Sequence, residues 1–490
     1  MFILFERNWF IMKKTKIVCT LGPAVDDCKT LSRLCVSGMD VARFNFSHGD
    51  YSEQQKRIDM FKAVREELGL PIPMMLDTKG PEIRIGTFID GSATLNDGSL
   101  FTLMHDVCEG NSSMVYVNYE HLYEEVLPGS IILINDGTIQ LEVIEIQDKN
   151  IKCRILHGGK LTNRKSVNVP GLKLNLPLLT EKDKNDIVYG IKNGFDIIAA
   201  SFVRKPEDIL AIREVLKENS AENIKIISKI ENQEGVDNFD EILNVSDGIM
   251  VARGDLGVEI AMEKVPTLQK IFIDKCNKQG KIVIVATQML ESMTNNPRPT
   301  RAEVNDVANA VYDGATAIML SGEVAAGNFP IESVKTMAQI AKTVENEINY
   351  WDKFSSTSQE SLIGKRSNLI VGHTLCEVAM QSNADAIFSL SAGGHTPMAI
   401  SSFKPQCPIY AITPNVSTAR QLNVSWGITP ILVKESSNPI DMINEGLKIA
   451  KENNYIFEGQ TIVIGESDTY TTASKLNVSI SKNIGGIYVI

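Results

Sequence analysis

Eight short β-rich runs recur through the first 350 residues, and this repetition most restricts what the chain can become. They are KIVCTL (16–21), VARFNF (41–46), PMMLDT (73–78), DIIAASF (196–202), IKIISKIE (224–231), GIMVA (248–252), KIVIVAT (281–287) and AIMLSGE (317–323). Between most of them lie amphipathic stretches such as KPEDILAIREVLKEN and VPTLQKIFIDKCNKQG. Near-continuous apolar strands joined by helices specify a parallel sheet covered on both faces. Eight such units point to a closed (β/α)8 barrel of the TIM type.

The spacing breaks once, between the third and fourth runs. Residues 81–171 lack helical periodicity and carry SIILIN, TIQLEVIEIQ and IKCRIL, with Asp-Gly turn signals at 97–98 and 136–137. Such turns join hairpins, so an all-β domain is expected here, inserted at the rim of a barrel formed by 13–80 and 172–348. Pro81 and Pro170 are candidate hinge stiffeners. After Asn349 comes a polar linker, WDKFSSTSQESLIGKRSN, and then DAIFSL, PIYAIT, TPILV and TIVIG with helical segments between. These predict a separate α/β domain over 349–490, with the final GIYVI as a candidate edge strand. The expected class is therefore α/β: a barrel, an inserted β lid and a C-terminal α/β domain. At 490 residues the chain is too long for one hydrophobic core. Residues 1–12 are expected to be a disordered extension or to precede the true start at Met12.

Composition narrows the function. Net charge is −11 with no long basic tract, which argues against nucleic-acid or anionic-membrane surfaces. The eight cysteines are scattered without CxxC or zinc-like spacing, as for reduced thiols in the cytoplasm. No apolar run has the ~20 residues of a membrane helix. There is no GxxxxGK[ST] and no GxG spacing, so the nucleotide loops of other folds are missing.

Catalytic side chains of a barrel sit at the C-terminal ends of its strands. The runs end there in Arg43, Asn45, Ser47 and His48; in Asp77 and Thr78; in Ser201; in Lys229 and Glu231; in Asp255; in Thr287; and in Ser321 and Glu323. One polar strand end has an ordinary explanation, contact with water. Seven converging on one mouth, with charges of both signs, do not. Lys229 and Glu231 stand two residues apart, on one face of a strand. Glu231 and Asp255 are hard oxygen donors suited to Mg2+ or Mn2+, and Lys229 and Arg43 are cations suited to a phosphoryl group. Metal-assisted phosphoryl transfer accounts for both signs.

These segments resemble the pyruvate kinase family: TKIVCTLGPA, VARFNFSHGD, LDTKGPEIRIG, SKIENQEGV, DGIMVARGDLGVEI and the long ATQMLESMTNNPRPTRAEVNDVANAVYDGATAIMLSGE. The resemblance implies phosphoryl transfer from phosphoenolpyruvate to ADP, giving pyruvate and ATP in the cytoplasm. It implies that Lys229 stabilises the phosphoryl group, Arg43 contacts the substrate phosphate, and Glu231 and Asp255 hold Mg2+. Thr287 and the backbone of Gly254 and Asp255 would receive the carboxylate. Asn45, Ser47, Asp77 and Thr78 match a K+ site. Asn45, Ser47, His48, Arg84 and Lys165 match nucleotide contacts. Ser321 and Glu323 fall near the path that protonates the enolate, with Thr287 or a water near Glu323 as the alternative donors. Family members carry glutamate or lysine at the position of Glu82, and glutamate goes with a K+ requirement. A homotetramer is also implied.

In SLSAGGHTPMAISSFKP (389–405) a turn between strand and helix resembles the family's sugar-phosphate effector loop. Gly393 replaces the usual serine and Met398 the usual arginine, so an effector and a plain turn are equally expected. SDTYTTASK (467–475) would face it. Two other readings compete: a barrel acting on phosphoenolpyruvate without ADP, as a mutase or lyase, and a catalytically silent binding protein. The intact Lys229, Glu231, Asp255 and Thr287 argue against the second.

Overall fold

A computed structural model describes residues 13–356, 367–467 and 476–481. The eight runs form strands β1 (Lys16–Thr20), β2 (Val41–Asn45), β3 (Met74–Asp77), β4 (Ile197–Ala200), β5 (Lys225–Ile230), β6 (Gly248–Ala252), β7 (Ile282–Ala286) and β8 (Ala317–Leu320). They close into one parallel barrel in which each strand pairs with its sequence neighbours and β8 returns to β1. Seven of the eight strands are shorter than their runs. Asp255 and Glu323 lie on short helices, Arg253–Glu259 and Gly322–Ala325, directly after β6 and β8.

Alternation along the strands explains where chemistry can sit. Val18, Val41, Met75, Ile197, Ala199, Ile227, Met250, Ile284, Ala286, Ala317 and Met319 share one buried apolar cluster. Two residues further along, on the same face, come Thr20, Arg43, Asp77, Ser201, Lys229 and Ser321. The sequence therefore builds an oily lumen topped by a polar layer.

The inserted segment has its own core, centred on Phe101, Leu103, Val115, Ile132, Leu141 and Cys153. It holds a six-stranded and a two-stranded sheet, with one helical turn at Leu122–Glu125. The Asp-Gly signals at 97–98 and 136–137 both fall in turns between strands; Asn135, Asp136 and Gly137 all take positive φ. The return segment leans on this domain past residue 171: Leu172, Leu174 and Leu176 pack against its core. Arg204 fastens that segment to the barrel through the carbonyls of Leu176 and Pro177, each at 3.0 Å.

The C-terminal part forms a sheet of β9 (Ala386–Leu390), β10 (Ile409–Thr413), β11 (Ile428–Leu432), β12 (Ile462–Ser467) and β13 (Leu476–Ser481), ordered β11-β10-β9-β12-β13. Only β13 is antiparallel. The expected linker is partly structured: Tyr350–Ser355 is a helix because Tyr350 and Phe354, four apart, are both buried. Residues 1–12, residues 357–366 of that linker, most of the SDTYTTASK segment and GIYVI lie outside the described residues.

This part plugs the barrel's base. Val424 belongs to the lumen cluster, and Trp426 joins the main barrel core. Lys14 lies over the Tyr350 and Trp426 rings at 4.4 and 5.3 Å. Lys16 Nζ donates to the Ile428 carbonyl at 2.7 Å, and Asn423 Nδ2 to the Asp40 carbonyl at 2.8 Å. Among the described residues, no helix is long and apolar enough to cross a membrane, and all eight cysteines are free thiols.

Candidate active site

At the C-terminal ends of β2, β3 and β5 two cations and two anions meet in a buried cluster. Arg43 Nε donates to Asp77 Oδ2 at 2.7 Å, and its Nη1 donates to Thr20 Oγ1 at 2.7 Å. Lys229 Nζ reaches Asp77 Oδ1 at 3.1 Å, Glu231 Oε1 at 3.0 Å and Ser201 Oγ at 2.7 Å. Glu231 Oε2 accepts from the Phe202 amide at 2.6 Å. All four charged side chains are buried. A buried ion pair is weak evidence for stability, because desolvation offsets much of the attraction; four charges gathered here point to a task.

The charge states follow from the surroundings. Burial favours neutral Asp77, but Arg43 and Lys229 outweigh it and hold its carboxyl below the usual range. Burial likewise opposes the Lys229 ammonium, and Asp77 and Glu231 more than compensate, so its pKa is raised. For Glu231 burial prevails: its carboxyl is pushed up to about 7, with Lys229 pulling against and Asp255 pushing the same way. Lys229 thus stays a cation, while Glu231 holds its proton more tightly than an ordinary glutamate.

Across the mouth, Thr287 follows β7 with φ 69°, and Gln288 with φ 54°. Two successive left-handed residues without glycine carry backbone strain of about 1–3 kcal/mol each. Arg253 Nη2 donates to the Thr287 carbonyl at 2.7 Å, and the Gly254 amide donates to Thr287 Oγ1 at 2.8 Å. The Gly254 amide is therefore engaged by the Thr287 hydroxyl. Arg253, Gly254, Asp255, Thr287, Gln288 and Ser321 line a cleft of about 930 Å3 that also touches Leu133 and Gly137 of the lid.

Glu323 lies on the short helix Gly322–Ala325. It is buried, and its oxygens accept from the Leu290 amide at 3.1 Å and the Ser321 amide at 2.8 Å. Burial raises its pKa, with backbone amides opposing. In this arrangement it ties the loop after β7 to the loop after β8.

Asn45 and Asp77 stand opposite each other in the β2–β3 register. Asn45 Oδ1 accepts from the Ser47 amide at 3.0 Å, and the Thr78 carbonyl accepts from Ser201 Oγ at 2.6 Å. His48 is exposed on the following loop. Arg84 and Lys165 sit together on the lid's stem, where Arg84 bridges to Ser166 and the Ile85 amide donates to the Lys165 carbonyl at 3.0 Å. Arg84 pairs with Glu82 at 2.7 Å; burial raises the Glu82 carboxyl above its usual range, against the pull of Arg84 and Lys79. Thr20 was not legible as a site residue; only the inward alternation of β1 signals it.

Comparisons with known proteins bear on this geometry. The family model for the pyruvate kinase barrel domain matches residues 12–334, and that for the pyruvate kinase alpha/beta domain matches 370–479. The chain belongs to the pyruvate kinase family. It is accordingly a phosphotransferase. Pyruvate kinase of Clostridium acetobutylicum is 46% identical over 454 residues, covering 92% of this chain and 96% of its own. Pyruvate kinase of Bacillus licheniformis is 46% identical, covering 98% of this chain and 81% of its own. That of Staphylococcus saprophyticus is 48% identical, covering 92% and 77%.

In the C-terminal domain the effector-like loop runs from β9 into the helix His395–Ser402. The Gly394 amide donates to Ser391 Oγ at 3.0 Å, and Met398 packs against the apolar cluster around Leu375 and Ile400. Position 398 thus contributes packing where the family pattern has a guanidinium.

Proposed function

We propose that this chain transfers the phosphoryl group of phosphoenolpyruvate to ADP, giving pyruvate and ATP, the last step of glycolysis. The observation that carries the reading is the buried Arg43–Asp77–Lys229–Glu231 cluster at the barrel mouth. Charge in a loose phosphoryl-transfer transition state spreads over the equatorial oxygens, so positioned cations are the main requirement. Lys229, kept protonated by Asp77 and Glu231, supplies one. Arg43, fixed by Asp77 and Thr20, supplies a second with a rigid planar fork for phosphate oxygens.

The donor chemistry at Glu231 and Asp255 fits a divalent cation of the Mg2+ class, which commonly takes one or two carboxylates. When bound, such an ion supplies Lewis-acid stabilisation of phosphoryl and enolate oxygens. Oxygens of Asn45, Ser47, Asp77 and Thr78 on adjoining strands fit a monovalent cation, and Glu82 supports K+ as that ion. The substrate carboxylate is assigned to Thr287 and the amides of Gly254 and Asp255, with Arg253 holding the Thr287 carbonyl in place. His48 with Arg84 and Lys165 on the lid's stem are assigned to ADP. Closure of the lid would exclude water from the phosphoryl group. Protonation of the enolate is assigned to the Thr287–Ser321 side of the cleft. Family membership supports assembly as a homotetramer in the cytoplasm; a sugar-phosphate effector has less support, since Met398 lacks the cation.

The test is steady-state pyruvate formation with phosphoenolpyruvate, ADP, Mg2+ and K+, each omitted in turn. The reading requires turnover that depends on ADP and the divalent ion. Consumption of phosphoenolpyruvate at the same rate without ADP would instead identify a mutase or lyase.

A further inference from the structure

The helix Arg253–Glu259 carries Gly254 and Asp255 at one end and meets the lid at the other. Asn168, on the lid's last strand, donates through Nδ2 to Glu259 Oε1 at 2.7 Å. One turn of the lid rests beside the same end: a Cβ built on Gly137 would lie 3.7 Å from Val258 Cγ1. Asn168 is not a free-hanging arm. Its strand, Val167–Asn168, pairs with Ile131–Ile134 in the lid's main sheet, so the contact reports where the whole lid stands.

The helix packs its apolar side outside the main barrel core, while Arg253 and Gly254 tie its first turn to Thr287. Its buried Leu256 and the next residue past its end, Ile260, form a small cluster with Val265, joined to the main barrel core through Val236 and Leu268. None of those first three belongs to the main barrel core. Few buried contacts mean a low local free energy of opening. An element of under two turns with such a small core can be moved by a force at either end. Glu259 is half-buried, and burial raises its carboxyl above the usual range while the Asn168 hydrogen bond works the other way. Losing that donor leaves a half-buried carboxylate without this hydrogen bond.

We propose that Asn168 and Glu259 are positioning residues: their hydrogen bond latches the lid to the helix Arg253–Glu259 and so sets Gly254 and Asp255 for substrate. This deepens, and rests on, the assignment of Gly254 and Asp255 to the phosphoenolpyruvate site. The latch gives the lid a route to the substrate end of the cleft that does not pass through bound nucleotide. Closing the lid orders the carboxylate site, and binding at that site favours the closed lid by the same free energy.

The test is a polarity swap. Asn168→Asp places two carboxylates face to face; Glu259→Gln keeps an acceptor for Asn168. In the double variant N168D/E259Q, the introduced amide at position 259 donates and the introduced carboxylate at position 168 accepts, restoring the bond in reverse. Hydrogen–deuterium exchange is followed over residues 253–260 of the full chain without ligand, with KM and kcat for phosphoenolpyruvate measured in parallel. For N168D we expect exchange and KM to rise roughly tenfold or more, the scale of one hydrogen bond to a charged group. E259Q should stay within about twofold of the wild type, and the swap should return to it, with thermal midpoints unchanged throughout. Exchange in N168D equal to the wild type, or a swap as impaired as N168D, overturns the latch. Wild-type protein lacking ADP-dependent turnover would instead overturn the substrate assignment, and exchange would still decide the latch.

Discussion

Replacing Lys229 by methionine removes the ammonium while keeping most of the buried stem. Lys229 makes three polar contacts, to Asp77, Glu231 and Ser201, and no other cation described at the mouth except Arg43 touches Asp77. Positioned donors and cations in water-excluded sites are worth about 10^2 to 10^5 in rate. Its burial and its two anionic neighbours place Lys229 in the middle of that range. We expect kcat to fall about 10^3- to 10^4-fold, or roughly 4 to 5.5 kcal/mol of barrier at 1.36 kcal/mol per decade. The fold should survive. Asp77 keeps Arg43 at 2.7 Å and Glu231 keeps the Phe202 amide, so the stability loss should be below the ~3–5 kcal/mol of an orphaned buried charge. Pyruvate formation in a coupled assay, with thermal unfolding of the same preparation, separates the two effects. Turnover of K229M within tenfold of the wild type would refute the role given to this cation.

The other predictions probe the cation site, the base of the barrel and a buried acid. In Tris buffer free of K+ and NH4+ the wild type should be largely inactive, and Glu82→Lys should restore activity there and blunt the response to added K+; full wild-type rate in that buffer rejects the K+ requirement. Val424→Asp puts a carboxylate into an apolar lumen, costing about 3 kcal/mol or more; calorimetry should show an early transition, and an unchanged profile would contradict the plug. Asp196 is pushed up to about 6 by burial, against a hydrogen bond from the Met74 amide and the charges of Arg420 and Arg65. The folded state then binds the proton more tightly than the unfolded chain, so this group's contribution falls as pH rises from about 4 to 6, by about 3 kcal/mol at most. Asp196→Asn should flatten that part of the stability profile, which denaturant titrations at pH 4.5 and 6.5 would check.

Much of the barrel was legible because its signal is local. Apolar runs such as KIVIVAT and IKIISKIE announce strands, and period-two alternation carries Lys229 and Glu231 to one face. One hairpin of the inserted domain was legible from Asp136-Gly137, whose backbone preferences select a turn, while Asp97-Gly98 marks a turn between strands of different sheets. Residues just past a strand were harder. The run AIMLSGE does not show that Glu323 belongs to a short helix, since a single turn leaves no periodicity to read. Contacts between distant segments were silent. Nothing in the string links Arg43 to Thr20, Asn168 to Glu259, or Val424 to the lumen, because tertiary packing alone brings them together.

The most direct test of the central claim is a crystal structure with phosphoenolpyruvate and Mn2+, located by anomalous scattering. The account predicts a Mn2+ peak on the carboxylates of Glu231 and Asp255, with the Lys229 ammonium and the Arg43 guanidinium turned onto the same phosphoryl group. A metal peak away from those two carboxylates, or a phosphoryl group that neither cation touches, would contradict it.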